Sequence, residues 1–369
     1  MIDGFATPEG TAAYARSLGA SAVPDHFRRF ADLTLSSLGI GTYLGDADAV
    51  TDRGYTDAVS QAIRLGVNVV DSAINYRHQR SERSIGAAFK SLLAAGVVAR
   101  DQVLVATKGG FIPYDGEAPA NAGAYIARTY VRPGIIRPEE LVGNSHCMAP
   151  RYLADQLERS RRNLDVGTID VYYLHNPEFQ LSAVDRPTFL ARMQAAFEFL
   201  ERAVADGQIR LYGTATWTGY RQSPSAGGFL SLSELAGLAT RVAGSAHHFR
   251  VIQLPYNLAM SEAFTQPNQS IGRETVTVLE AARRLDIYTM TSAPIYQGQL
   301  ARALPPVLAR VLPGLTTDAQ RALQFVRSTP GVGTALVGMR QAGHVEENAR
   351  VAAVAPAPWE QFGQLFQKA

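Results

Sequence analysis

Three short apolar runs each end in an ionisable residue: Val67-Asn68-Val69-Val70 in Asp71, Val103 to Thr107 in Lys108, and Val171 to Leu174 in His175. Tyr76 follows five residues after Asp71. A charge at the end of a buried strand needs a partner, and Asp71 with Lys108 supplies one. The set suits proton transfer by Tyr76. A free phenol titrates near ~10, too high for easy work at neutral pH, so a nearby Lys108 ammonium held by Asp71 is expected to lower it. His175 can hydrogen-bond a carbonyl oxygen and orient it. Proton donation to a carbonyl completes a reduction only with hydride, which no side chain supplies, so a nicotinamide cofactor is implied. Taken singly, Asp71 reads as a turn cap, His175 as a satisfied core histidine and Tyr76 as packing. Their joint placement at strand ends is what points to catalysis.

Such convergence needs parallel strands. Eight candidates run along the chain: Leu35–Ile40, Val67–Asp71, Val103–Lys108, Val171–His175, Ile209–Thr214, Val251–Pro255, Ile287–Ala293 and Thr334–Gly338. Several lack in/out alternation, as expected of parallel strands covered on both faces. Amphipathic helices are predicted between them at Thr56–Leu65, Arg151–Leu164, after Asp185-Arg186-Pro187, and at Glu274–Leu285. Asp185 can cap its helix and Gly207 can end it. The first strand lacks a glycine fingerprint, reading LGIGTYLGD. Together these predict an α/β fold, a TIM (β/α)8 barrel, rather than an open doubly wound sheet. The whole chain, 1–369, reads as a single barrel domain with an N-terminal extension over 1–33 and an inserted loop over 109–149. The insertion leaves a strand's C-terminal end, so it is expected over the active-site rim.

The segments GVNVVDSAINYRHQRSE, VLVATKGG, LERSRRNLDVGTIDVYYLHNPE, GQIRLYGTAT, IQLPYN, SAPIYQGQL and TALVGMRQAGHVEEN occur in that order. In residues and order the chain resembles the aldo-keto reductase superfamily, as a bacterial-type member with a long insertion after the third barrel strand. The resemblance implies a catalytic tetrad, falling here on Asp71, Tyr76, Lys108 and His175. It implies extended NADP(H), with NAD(H) as the alternative, and reversible carbonyl–alcohol chemistry. Gln253 matches the residue that binds the nicotinamide carboxamide. Ala215-Thr216 replaces a usual serine-asparagine pair, leaving Thr216 as the hydrogen-bonding member. A frequent stacking aromatic is replaced by Ser292, with Tyr296 or Trp217 as substitutes. Gly41 and Thr42, ending the first strand, also fall at the cofactor. The loop from Pro294 through Tyr296, Gln297, Gly298 and Gln299 to Leu300 matches the one that wraps the pyrophosphate. Gly338, Met339, Arg340, His344, Glu347 and Asn348 fall at adenosine-phosphate positions, where Arg340 beside a helix start suits a 2′-phosphate.

Composition narrows the classes. A net charge of +2 and no basic run interleaved with aromatics argue against nucleic acid. The single cysteine, Cys147, excludes an internal disulfide, and no metal site is expected. No secretory signal or membrane-spanning apolar run is visible, so a cytoplasmic enzyme is expected, with a small carbonyl or sugar as its partner and no membrane. The oligomeric state is not legible. Two other functions compete: a cofactor-binding regulatory or scaffold protein with little turnover, and a barrel isomerase or lyase without nicotinamide. An intact tetrad favours the oxidoreductase over the first. The late phosphate motif and Gln253 count against the second.

Overall fold

The computed structural model describes residues 1–367. Eight parallel strands close into a barrel in sequence order: β1 (Leu38–Gly41), β2 (Val69–Asp71), β3 (Leu104–Gly109), β4 (Ile169–His175), β5 (Ile209–Ala215), β6 (Phe249–Pro255), β7 (Tyr288–Ser292) and β8 (Thr334–Gly338). β8 pairs back onto β1, with Leu336 opposite Gly39 and Gly338 opposite Gly41, so the sheet has no free edge. A helix follows each strand, from Ala49–Arg64 after β1 to Ala342–Ala349 after β8. Burial explains the unalternating runs: every residue of β2 and β3 is buried, one face in the barrel and the other under helices. This is a TIM (β/α)8 barrel.

Helix ends follow local chemistry. Asp185 accepts the Thr188 N–H and caps Arg186–Ala205, and Pro187 sits in the first turn, as its sequence predicts. The chain then turns at Gly207, whose φ is 72°. The predicted helix over Glu274–Leu285 begins later. Glu274–Val276 forms a short strand against Gln269–Ile271, and Thr277 caps a helix over Val278–Arg284.

The first predicted strand is divided. Leu33–Ser36 pairs antiparallel with Phe27–Phe30, and the barrel strand starts only at Leu38. The break is stabilised by Asn68, whose side-chain oxygen takes the Ser36 N–H at 2.8 Å, while the Ser37 N–H goes to the His26 carbonyl at 2.7 Å. The resulting hairpin carries Phe30 and Leu35 into the cluster that fills the barrel, with Val69, Leu104, Val171, Val251 and Tyr288. Phe30 stacks on Tyr288 with ring centroids 4.6 Å apart. The N-terminal extension is thus ordered: a helix over Pro8–Ser17 and this hairpin plug.

The insertion folds back on itself. Its two ends pair through Ile112 N–H to the Ser145 carbonyl at 2.7 Å and Cys147 N–H to the Gly110 carbonyl at 2.9 Å. Beyond this neck, Tyr130, Ile136, Cys147 and Tyr152 make a small core of their own.

Candidate active site

A cleft of about 890 Å³ opens where β1, β2, β4, β5, β6, β7 and β8 end. Asp71 and Lys108 meet below it. Lys108 is fully buried and its Nζ donates to Asp71 Oδ2 at 2.6 Å and to the Ser72 carbonyl at 2.6 Å. Gln253 donates its amide to the other carboxylate oxygen, Oδ1, at 2.8 Å. Burial pushes the Asp71 carboxyl up and the Lys108 ammonium down, and their contact opposes both shifts.

Tyr76 lies above the pair, its ring face 4.9 Å from the Lys108 ammonium. The backbone that carries it is unusual. Arg77, His78 and Gln79 are all left-handed, with φ of 48°, 57° and 73°. Three such non-glycine residues in a row are strained, each by about 1–2 kcal/mol. Arg77 offsets this by anchoring inward: its side chain bonds the Asp46 carbonyl at 2.9 Å and the Asp52 carboxylate at 2.6 Å.

The expectation that Lys108 lowers the Tyr76 pKa is corrected. Burial, followed by Asp71, Tyr43 and Tyr55, holds the phenol well above its ordinary value. The ammonium is committed to Asp71 and Ser72 and reaches Tyr76 only through the ring face, so it does not offset that burial. Tyr76 is a neutral phenol, the form that can donate a proton.

His175 completes the group, its ring centroid 5.8 Å from that of Tyr76 at an interplanar angle of 77°. Burial first, then Lys108 and His146, push its pKa well below the ordinary value, so the imidazole is neutral. Its Nδ1 is buried without a partner. An orphan acceptor costs less than an orphan N–H, which favours the proton on Nε2.

The cofactor-type positions spread along the same cleft. Gly41, Thr42, Thr216, Gln253 and Ser292 line the barrel end, and Pro294, Gln297 and Gly298 line one wall. Gly338, Arg340, His344, Glu347 and Asn348 line the far end. Left-handed backbone at Ala293, Tyr296 and Gln297 curls the wall loop inward. Three expected positions lie off the lining: Tyr296, Gln299 and Met339. Met339 is buried and packs into the main core instead. Of the proposed aromatic substitutes, Trp217 lines the cleft and Tyr296 does not. Several lining residues were not anticipated, among them Tyr43, Leu44, Tyr55, Asn75, Phe111 and Asn176. Asn75 and Asn176 adjoin Tyr76 and His175 in sequence, which is a signal that could have found them. Phe111 alone of the insertion's aromatics reaches the cleft. Tyr114, Tyr125, Tyr130 and Tyr152 run away from it in edge-to-face contacts.

Besides His175 Nδ1, three buried polar atoms of cleft-lining residues lack a partner: Asn75 Oδ1, Thr216 Oγ1 and Asn348 Oδ1. Thr216 follows β5 and Asn348 lies on the helix after β8, and both line the same cleft. The N-terminus of Ala342–Ala349 has no side-chain cap, which leaves its first N–H groups open beside Arg340. An elongated ligand with polar groups at both ends and an anion near Arg340 fits these donors and acceptors.

The sequence profile of the Aldo/keto reductase family matches residues 37–303. The chain belongs to the aldo/keto reductase family. The match stops short of the last motif, yet Arg340 and Asn348 line the same cleft as Tyr76. Among curated proteins, an NADH-specific methylglyoxal reductase of Escherichia coli (strain K12) is 26% identical over 189 residues, covering 50% of this chain and 49% of that protein. The match therefore spans about half the length of that relative. Solved structures with the same fold include an aldo/keto reductase from Klebsiella pneumoniae in complex with NADP and acetate. Its TM-score is 0.62 at 22% identity, over 92% of this chain and 94% of the other. The glycerol dehydrogenase AKR11B4 from Gluconobacter oxydans superposes with a TM-score of 0.60 at 18% identity, over 93% and 94%. No helix among the described residues is long and apolar enough to cross a membrane.

Proposed function

We propose that this aldo-keto reductase interconverts a small carbonyl compound, an aldehyde, ketone or sugar, and its alcohol, using NADP(H) and Tyr76 as the proton donor. The observation that carries this reading is the Tyr76 ring beside that of His175, above a buried Asp71–Lys108 pair.

When bound, a reduced nicotinamide supplies the hydride. Gln253 has its amide N–H engaged by Asp71, which leaves its carbonyl to accept from a carboxamide NH₂. Thr216 Oγ1 offers a second contact at that end, and Asn348 Oδ1 accepts from an amino group at the other. Arg340 supplies charge for a 2′-phosphate, which favours NADP(H) over NAD(H). His175 Nε2–H holds the substrate oxygen. Tyr76 then gives its proton to that oxygen as the carbonyl carbon is reduced. In oxidation the same residues run in reverse, with the tyrosinate taking the alcohol proton.

A nicotinamide fluorescence titration tests the cofactor claim. NADPH is expected to bind more tightly than NADH, and Arg340→Ala to erase most of the difference. Binding of neither form would remove the basis of the proposal. A carbonyl and sugar panel run with both cofactors then assigns the substrate.

A further inference from the structure

Strand β3 stops at Gly109, opposite Leu174, so the last residue of β4 has no neighbour on that side. The peptide joining His175 to Asn176 shows the consequence. Its N–H, on Asn176, still goes to the Ala215 carbonyl of β5 at 2.6 Å. Its carbonyl points the other way, toward the missing strand. There the side chain of His146 meets it, with Nε2 2.7 Å from the His175 oxygen. A carbonyl can only accept, so His146 carries its proton on Nε2.

The other ring nitrogen agrees with that tautomer. His146 Nδ1 lies 2.8 Å from the Gln180 amide nitrogen and accepts from it. Gln180 Oε1 in turn accepts from Arg192, and Arg192 also donates to the Glu139 carbonyl at 3.1 Å. One directed chain thus runs from Arg192 through Gln180 and His146 to the backbone of His175. Every member is oriented by its neighbour, and His146 and Gln180 are fully buried. The ring of Phe111 stands edge-on between the two histidines, 4.9 Å from His146 and 5.1 Å from His175. Gly110 leaves room for this. A Cβ there would lie 2.8 Å from His146 Nε2 and 3.1 Å from the His175 oxygen.

We infer that His146, carried by the 109–149 insertion, is a positioning residue for His175: its Nε2–H replaces the missing strand and, with Phe111, fixes the imidazole that faces the substrate. The inference rests on the oxidoreductase reading for what His175 does, but the placement of the ring is testable without turnover. The insertion then has a definite task. It completes the wall of the catalytic cleft rather than covering it, and removes the freedom of a backbone that turns left-handed at Asn176, where φ is 46°.

The test compares His146→Phe, which keeps a ring but cannot donate, with His146→Gln, which keeps a donor and an acceptor. Imidazole ¹⁵N spectra of the cofactor-free protein resolve its seven histidines. His175 is expected to give one set of signals in the native protein and in His146→Gln, and split or broadened signals in His146→Phe. Unchanged His175 signals in His146→Phe would overturn the inference. In steady-state assays His146→Phe should lower kcat about tenfold or more, as a misplaced catalytic group does, with the nicotinamide KM unchanged. His146→Gln should stay within about threefold of native. Parallel losses in kcat and nicotinamide affinity that Gln does not rescue would mark a general structural role and also overturn it. If the native protein turns over no carbonyl with either nicotinamide, the oxidoreductase reading falls, while the spectra still decide what His146 does.

Discussion

At the scale of single residues the site is governed by burial. Lys108 has no contact with solvent, and its charge is tolerated because Asp71 and the Ser72 carbonyl both receive it. Removing one member leaves the other uncompensated. Lys108→Met is therefore expected to destabilise the fold by about 3–5 kcal/mol in urea unfolding, and Asp71→Asn added to it should restore part of that loss. An unchanged midpoint in Lys108→Met would show that the pair is not held as ions. The residues of this pair were legible in the sequence because a strand that ends in a charge is anomalous without a partner. His146 was not, since its role is a bond to the backbone of a residue 29 positions away. The electrostatics of Tyr76 were also misjudged from sequence. Proximity to an ammonium could be inferred, but not that the ammonium bonds Asp71 and the Ser72 carbonyl and meets Tyr76 only at its ring face.

At the scale of elements, the loops that line the cleft need their own anchors. Glu178 is one that the sequence reading did not single out. Its Oε1 accepts from three consecutive backbone N–H groups, those of Trp217, Thr218 and Gly219, at 2.9, 3.1 and 3.3 Å. It thereby shapes the loop after β5 that places Thr216 and Trp217 on the cleft. Glu178→Ala leaves those donors without their acceptor, and we expect a loss of about 1–3 kcal/mol. In a Trp359→Phe background, Trp217 is the only fluorophore of its kind, and its emission should shift red as the loop opens. No shift in emission would show that the loop holds its form without Glu178. Several barrel strands could be read from the sequence as unalternating apolar runs, because strands such as β2 and β3 are buried on both faces. The division of the first strand could not, because Ser36-Ser37 turns only with the help of Asn68 from the next strand. The helix over Arg186–Ala205 was legible to within a residue, since its cap and first-turn proline are local signals.

At the scale of the whole molecule, the barrel is closed at the bottom by the N-terminal hairpin and worked at the top. His26, just before the hairpin, ties the two through its ring, with Nε2 2.8 Å from the Gly66 carbonyl. Burial lowers its pKa from 6.5 to about 4, and His146 is lowered to about 4 by the same cause. The unfolded chain takes up these protons near pH 6.5, whereas the folded protein does so only near pH 4. Stability should therefore be level above the higher value and fall with pH between the two, by roughly 1.4 kcal/mol per pH unit for each histidine. His26→Gln should flatten that slope by one histidine's share in urea midpoints taken across the window, and an unaltered slope would refute the assignment. The N-terminal extension escaped prediction because its pattern gains meaning only against the barrel floor it fills. The top of the barrel is where function is decided. Single-turnover mixing of Tyr76→Phe with NADPH and a reactive aldehyde, followed by nicotinamide absorbance, isolates the proposed proton donor. We expect cofactor affinity close to native and turnover reduced by roughly 10²–10⁴-fold. Oxidation of NADPH at the native rate in this variant would contradict the assignment of Tyr76 as the proton donor.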